Sequence, residues 1–166
     1  EGKVVLWSFD PPPITVLKPE KPFERITTVH ERVRLLKDAG ADEVKFITPS
    51  KEFLSKSPEE FVQDVIDEVK PTFFVEGDSF RFGKGRCGTT ELLQEIGEKS
   101  NFGCITVSPV EVTLRDHSIV IASSSMVRWL INEGRVEDAG LMLGRTPSIA
   151  GVVQQGDQRG RTIGIR

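Results

Sequence analysis

Apolar residues come in short bursts along this chain, and their spacing alternates between two periods. Val4-Val5-Leu6-Trp7-Ser8 is a near-continuous apolar run and predicts a buried strand. It runs into Phe9-Asp10 and three prolines, Pro11 to Pro13, which cannot continue a sheet. Thr28-Val29-His30-Glu31 then reads as a capping box, with Thr28 as N-cap and Glu31 reaching back. Val33, Leu35, Leu36 and Ala39 follow at helical spacing, and Gly40 stops the helix. Residues 43–47 predict a second strand. Ser57-Pro58-Glu59-Glu60 is another capping box, with proline at the first helical position. Phe61, Val62, Val65, Ile66 and Val69 continue that helix, and residues 72–75 predict a third strand. Thr89 or Thr90 caps a helix carrying Leu92, Leu93 and Ile96, and residues 103–107 predict a fourth strand.

Strand and helix alternate through this whole stretch. The alternation predicts an α/β layer fold, with a parallel sheet flanked by helices. Ligands in such folds bind beyond the carboxyl ends of the strands. The Phe9-Asp10-Pro11 turn, the segment after residue 75 and the turn after Val107 all fall at those ends. Further on, residues 111–114 and 118–121 predict a hairpin around Arg115-Asp116-His117. A helix carrying Trp129, Leu130 and Ile131 follows, closed by Gly134. Another covers 136–143 and closes at Gly144. The pattern changes from 148 to 166, which predicts the opening strand and loop of another, truncated domain.

Composition narrows the picture. The chain has 166 residues, enough for one packed domain or a domain plus a stub. A net charge of −3 gives no sign of a nucleic-acid binder or a basic membrane patch. No apolar run is long enough to span a bilayer. No signal peptide is read at the start, and Cys87 and Cys104 lack metal-type spacing, so a cytoplasmic setting is expected. With His30 and His117 as the only histidines, histidine-rich metal chemistry is not expected.

Three places carry candidate chemistry. The first is Val75-Glu76-Gly77-Asp78-Ser79-Phe80-Arg81-Phe82-Gly83-Lys84-Gly85-Arg86-Cys87-Gly88. Its glycines permit close backbone approach, its phenylalanines offer flat faces, and its basic residues suit phosphate. A planar phosphorylated ligand fits that mixture; a surface loop with two aromatics tucked into the core fits it too. The second is Ser123-Ser124-Ser125-Met126-Val127-Arg128, where hydroxyls, helix N-terminal N–H groups and a guanidinium make an anion site. Plain N-capping by a serine explains part of the same pattern. No serine here has a general-base partner, which argues against a serine hydrolase. The third is Phe9-Asp10-Pro11-Pro12-Pro13, either a carboxylate and rigid wall for a ligand or an ordinary turn.

Together these segments resemble the bacterial FAD synthetase family, the bifunctional riboflavin kinase/FMN adenylyltransferases. Phe9-Asp10-Pro11-Pro12-Pro13 resembles the family's Phe-Asp-Pro-x-Pro, and Phe80-Arg81-Phe82-Gly83 resembles the core of its flavin loop. Ser123 to Arg128 resembles its Ser-Ser-Thr/Ser-x-Ile/Val-Arg motif, and the segment 151–164 resembles the start of its kinase barrel. The resemblance implies a Rossmann-like nucleotidyltransferase fold over 1–146 and the truncated start of a riboflavin kinase β-barrel over 147–166. It implies adenylyl transfer from ATP, with Mg2+, to FMN, giving FAD and pyrophosphate. Riboflavin would be the kinase substrate. Asp10, Pro11, Pro13, Gly77, Ser79, Phe80, Arg81, Phe82 and Gly83 would form the flavin site, and Ser124, Ser125 and Arg128 would act on the ATP phosphates. Ser79 stands where the family has Asp or Asn, and Ile121 where it commonly has Arg. The family's first strand and its histidine-glycine-histidine motif have no match here. Two alternatives stay open: a non-catalytic flavin- or nucleotide-binding fragment, and another nucleotidyltransferase of the same superfamily.

Overall fold

The computed structural model describes residues 2–152 and Gln154. Residues 147–152 and Gln154 have no regular structure. The rest of the segment expected to open a kinase barrel lies outside the described residues.

Among the described residues there are six strands and six α-helices, and all but the first helix follow the predicted order. The first strand, β1 (Val5–Phe9), is followed by a short helix, α1 (Ile14–Leu17). This helix was not expected from the proline run. Pro13 sits at its N-cap with φ −53°, a value its ring already favours, so the prolines end the strand and start a helix.

Helix α2 (Val29–Asp38) begins where Thr28 accepts from the Glu31 amide. The Glu31 carboxylate turns outward to Arg34 at 2.8 Å instead of reaching back. Strand β2 (Glu43–Ile47) pairs in parallel with β1, Val5 opposite Glu43 through Phe9 opposite Ile47. A 3-10 turn at Phe53–Ser55 leads into α3 (Pro58–Val69), which has a complete reciprocal capping box between Ser57 and Glu60. Strand β3 (Phe73–Gly77), α4 (Thr90–Ser100) and β4 (Gly103–Val107) follow, with β3 and β4 parallel and in register from Phe73–Gly103 to Gly77–Val107. Thr89 caps α4 by accepting from the Leu92 amide. An antiparallel hairpin, β5 (Glu111–Thr113) and β6 (Ile119–Ile121), then leads to α5 (Ser124–Asn132) and α6 (Val136–Leu143).

The expectation of one parallel sheet needs correcting. Among the described residues the parallel strands form two separate pairs, β1 with β2 and β3 with β4. Hydrophobic spacing specifies that a segment is a strand but not which strand lies beside it, so the alternation did not reveal the division. Helix α3 spans both pairs: Phe61 meets Trp7 of β1 edge-on at 6.5 Å, while Val62 belongs to the core against which Phe74 of β3 packs. Helical cover is also one-sided on the second pair. Phe74 and Cys104 pack inward, whereas Phe73 and Val75 on the opposite face are 61% and 59% exposed.

Two apolar cores organise the chain. Val62, Phe82, Leu93 and Phe102 form the first, between α3, α4 and the strands. Leu114, Leu130 and Ala139 form the second, between the hairpin, α5 and α6. Asp138 closes the second core. It is 5% exposed, and its carboxylate accepts from the Arg115 amide and from the Arg135 guanidinium, both at 2.8 Å. Those bonds hold its proton affinity below the usual carboxylate range, with the Arg115 amide the leading cause.

Candidate functional site

The glycine-rich loop starts where β3 ends. The Asp78 amide donates to the Val107 carbonyl at 3.2 Å, and the Phe80 amide folds back on Gly77 at 3.0 Å. Phe82 and Gly88 then exchange two backbone hydrogen bonds, at 3.2 and 2.9 Å. Gly83 has φ +70°, and a Cβ there would lie 2.7 Å from the Pro58 nitrogen. Only glycine fits that position, on both conformational and steric grounds. One residue on, the Lys84 amide donates to the Lys56 carbonyl at 2.7 Å. The loop is therefore pinned to the start of α3.

The two phenylalanines of the loop have separate roles. Phe82 is 5% exposed and sits in the first core, with a Cβ at Gly88 excluded by its ring at 2.8 Å. Phe80 is half-buried and stacks on Phe82 at 5.3 Å and 18°. Of the two readings open for the loop's phenylalanines, the burial of Phe82 matches a ring tucked into the core. Its faces meet Phe61, 5.6 Å away, and Phe80. Arg81 is exposed and donates to its neighbour's Phe80 carbonyl at 2.7 Å. Gly77 and Ser79 are exposed on the rim.

Asp10, Pro11 and Pro13 lie at the carboxyl end of β1, half-buried. The Asp10 amide donates to the Ile47 carbonyl at 3.1 Å, extending the β1–β2 pairing by one step. A run of aromatic contacts connects this end to the glycine loop: Phe9 to Phe53 at 5.8 Å, Phe53 to Phe61 at 6.0 Å, Phe61 to Phe82, and Phe82 to Phe80. Of the expected flavin-side residues, Phe80 and Phe82 belong to that run, and Asp10 follows Phe9 in sequence.

The serine run behaves as its spacing implies. Ser123 is the N-cap of α5 and accepts from the Met126 amide at 3.2 Å. Ser124 and Ser125 are exposed on the first turn, where free N–H groups and the helix dipole favour an anion. Arg128 is half-buried. Its guanidinium carbon lies 4.7 Å from the Phe23 ring centroid, and its Nε donates to the Glu24 carbonyl at 2.7 Å. Arg25, next in sequence, pairs with Asp10 at 2.5 Å. Sequence reasoning missed Phe23, Glu24 and Arg25. The one available signal was Phe23, a large apolar residue alone in a charged stretch.

Glu76 lies in β3 just before the loop. Burial pushes its carboxyl up to about 7, and its charge, after burial itself, helps raise the nearby Cys104 thiol. His30 and His117 are exposed. Among the described residues no group of three or more His, Cys, Asp or Glu side chains is placed to hold a metal ion. Two shallow concavities, of about 740 and 480 Å³, lie outside the glycine loop and the serine run. The larger is lined by Arg115, Asp116, Arg135, Glu137 and Asp138, and its charges are already paired, Arg135 with Asp116 and Asp138 and Arg115 with Glu137. No helix among the described residues is long and apolar enough to cross a membrane.

The fold and these residues define an α/β protein whose candidate ligand groups gather at the carboxyl ends of parallel strands and at one helix N-terminus. Residues 1–124 match the FAD synthetase family, and the chain belongs to that family. It is 34% identical over 161 residues to a bifunctional riboflavin kinase/FMN adenylyltransferase of Buchnera aphidicola (subsp. Schizaphis graminum), covering 96% of this chain and 50% of the relative. The protein of the same name from Escherichia coli K12 is 31% identical over 163 residues, covering 98% of this chain and 50% of its own. The chain thus spans about half the length of the curated relatives it matches. A crystal structure described as a macrolide-efflux protein from Streptococcus pneumoniae superimposes with a TM-score of 0.82 at 30% identity, over 98% of this chain and 51% of that one.

Proposed function

We propose that this chain carries FMN adenylyltransferase activity on a nucleotidyltransferase-type fold. A phosphate oxygen of FMN attacks the α-phosphorus of ATP, the bond to the bridging oxygen of the β-phosphate breaks, and FAD and pyrophosphate leave. The observation that carries this reading is the family match over residues 1–124, which takes in the strand ends, the pinned glycine loop and the start of the serine run. Asp10, Pro11, Pro13, Gly77, Ser79, Phe80, Arg81 and Gly83 form the flavin side, with Phe82 beneath them. Ser124, Ser125, the first amides of α5 and Arg128 receive the ATP phosphates.

Catalysis on this reading comes from positioning and from charge placed where charge develops. Among the described residues no group of three or more His, Cys, Asp or Glu side chains is placed to hold a metal ion by itself. Magnesium would arrive with ATP as part of the substrate, held mainly by phosphate oxygens. The same reading places the protein in the cytoplasm. It divides the polypeptide into an adenylyltransferase unit over 1–146 and a riboflavin kinase-like segment from 147.

A competition assay tests the substrate class. Pyrophosphate release from ATP is followed with FMN, nicotinate mononucleotide and phosphopantetheine offered together. FMN should be consumed and FAD should accumulate. Consumption of either other acceptor in its place would contradict the proposal.

A further inference from the structure

Helices α1 and α2 are joined by a polar stretch whose residues 23–25 touch both ends of the candidate site. We propose that this stretch is a strap whose Phe23 and Glu24 position the Arg128 guanidinium for phosphate binding. The inference rests on the phosphate-binding role given to Arg128 above.

Three contacts support it, and all join parts of the chain far apart in sequence. The Arg128 guanidinium carbon stands 4.7 Å from the Phe23 ring centroid, a cation–π arrangement. The Nε–H donates to the Glu24 carbonyl at 2.7 Å, across 104 positions. One helical turn further, Asn132 donates to the Glu24 carboxylate at 3.2 Å. Arg128 and Asn132 are four residues apart and so lie on one face of α5, which the strap grips at two heights.

The consequence for Arg128 is directional. A guanidinium has five N–H donors in a fixed plane. With Nε committed to the strap, the four N–H groups on the two terminal nitrogens remain, which is the edge that binds phosphate bidentately. A long side chain otherwise samples many rotamers, and holding it beforehand removes that cost from the binding step.

The strap is itself fixed at its other side. Arg25 pairs with Asp10 at the end of β1, at 2.5 Å. Arg32, in the first turn of α2, donates to the Phe9 carbonyl at 3.0 Å and to the Ser8 hydroxyl at 3.2 Å. The residues that position Arg128 are thus one and two places from Arg25, which holds the flavin-side carboxylate. Phe23 and Glu24 are positioning residues, since neither is placed on a substrate.

The test uses Phe23→Leu, which keeps apolar bulk but removes the ring, and Phe23→Trp, which restores one. The first readout needs no substrate: the Arg128 Nε–H signal by NMR. In the unaltered protein it should show a ring-current shift and slowed exchange with water. Both should be lost in Phe23→Leu and regained in Phe23→Trp. A signal unchanged in Phe23→Leu overturns the strap, whatever the protein's activity.

The second readout is adenylyl transfer. Phe23→Leu should lower kcat/KM for ATP about ten-fold while FMN affinity stays within about two-fold. The same change made in an Arg128→Ala background should have little further effect, because the strap acts through that arginine. An equal loss in both backgrounds overturns the proposal. Absence of transfer by the unaltered protein would count against the adenylyltransferase reading, and the NMR result would still decide the strap.

Discussion

The glycine loop and the start of α5 serve opposite ends of one proposed reaction, and they are held in place by different means. The loop is rigid through its own residues. It closes on itself between Phe82 and Gly88, hangs on the Lys56 carbonyl, and sinks one aromatic ring into the first core. The start of α5 leaves Ser124 and Ser125 exposed and has its key cation held by a segment about a hundred residues earlier. A flat ring ligand gains from a fixed wall, whose placement the core can specify. A triphosphate needs exposed donors aimed outward, and a core cannot hold those without burying them. Borrowed contacts at the back of the arginine resolve that conflict.

The contrast can be broken most forcefully at Phe82. Phe82→Ala should cost about 3–5 kcal/mol in denaturant unfolding, because a 5%-exposed ring leaves a cavity in the first core. A cost under about 1 kcal/mol would mean the loop does not draw its rigidity from that core. Gly83→Ala should follow at about 1–3 kcal/mol, since its positive φ and the Pro58 nitrogen both oppose a side chain. Chemical denaturation of the purified variant measures it directly.

Glu76 gives a pH-dependent handle on the same side of the molecule. Its folded-state value of about 7 exceeds the ordinary 4.5, so the folded chain binds the proton more tightly than the unfolded chain does. Stability should therefore fall as pH rises from 4.5 through about 7, then level off. Glu76→Gln should remove that fall and raise stability above pH 7 by about 1–2 kcal/mol, a figure reduced for partial exposure. Unfolding curves at several pH values check the slope; a slope unchanged in the variant would assign it to another group. The smallest effect is expected at Phe80. Phe80→Ala should leave the fold intact and weaken FMN binding by about 1 kcal/mol, the scale of one stacked ring. Flavin fluorescence titration reads it.

Much of the fold was legible in the sequence because it rests on local signals. The bounds of β2 and β4 and the Ser57 capping box follow from residue type and spacing alone, as does a hydroxyl cap on α4 and α5, though not which of two adjacent residues supplies it. What depends on distant partners was not legible. Strand β3 runs on to Gly77 because Val107 of β4 is there to pair with it. The pattern Phe80-x-Phe82 puts two rings on one side of the loop but cannot say which of them enters the core. The Phe23–Arg25 segment carries no local signal, since its contacts are with Arg128 and Asp10, which no local pattern connects to it. The candidate residues were found by motif; what supports them from behind was not.

Transfer of labelled phosphorus tests the central claim most directly. The purified protein is incubated with FMN and ATP labelled at the α-phosphorus, and the products are separated by chromatography. The account predicts label in FAD, with one unlabelled pyrophosphate for each FAD formed. Label that stays in ATP, or that leaves as AMP with no flavin product, would contradict it.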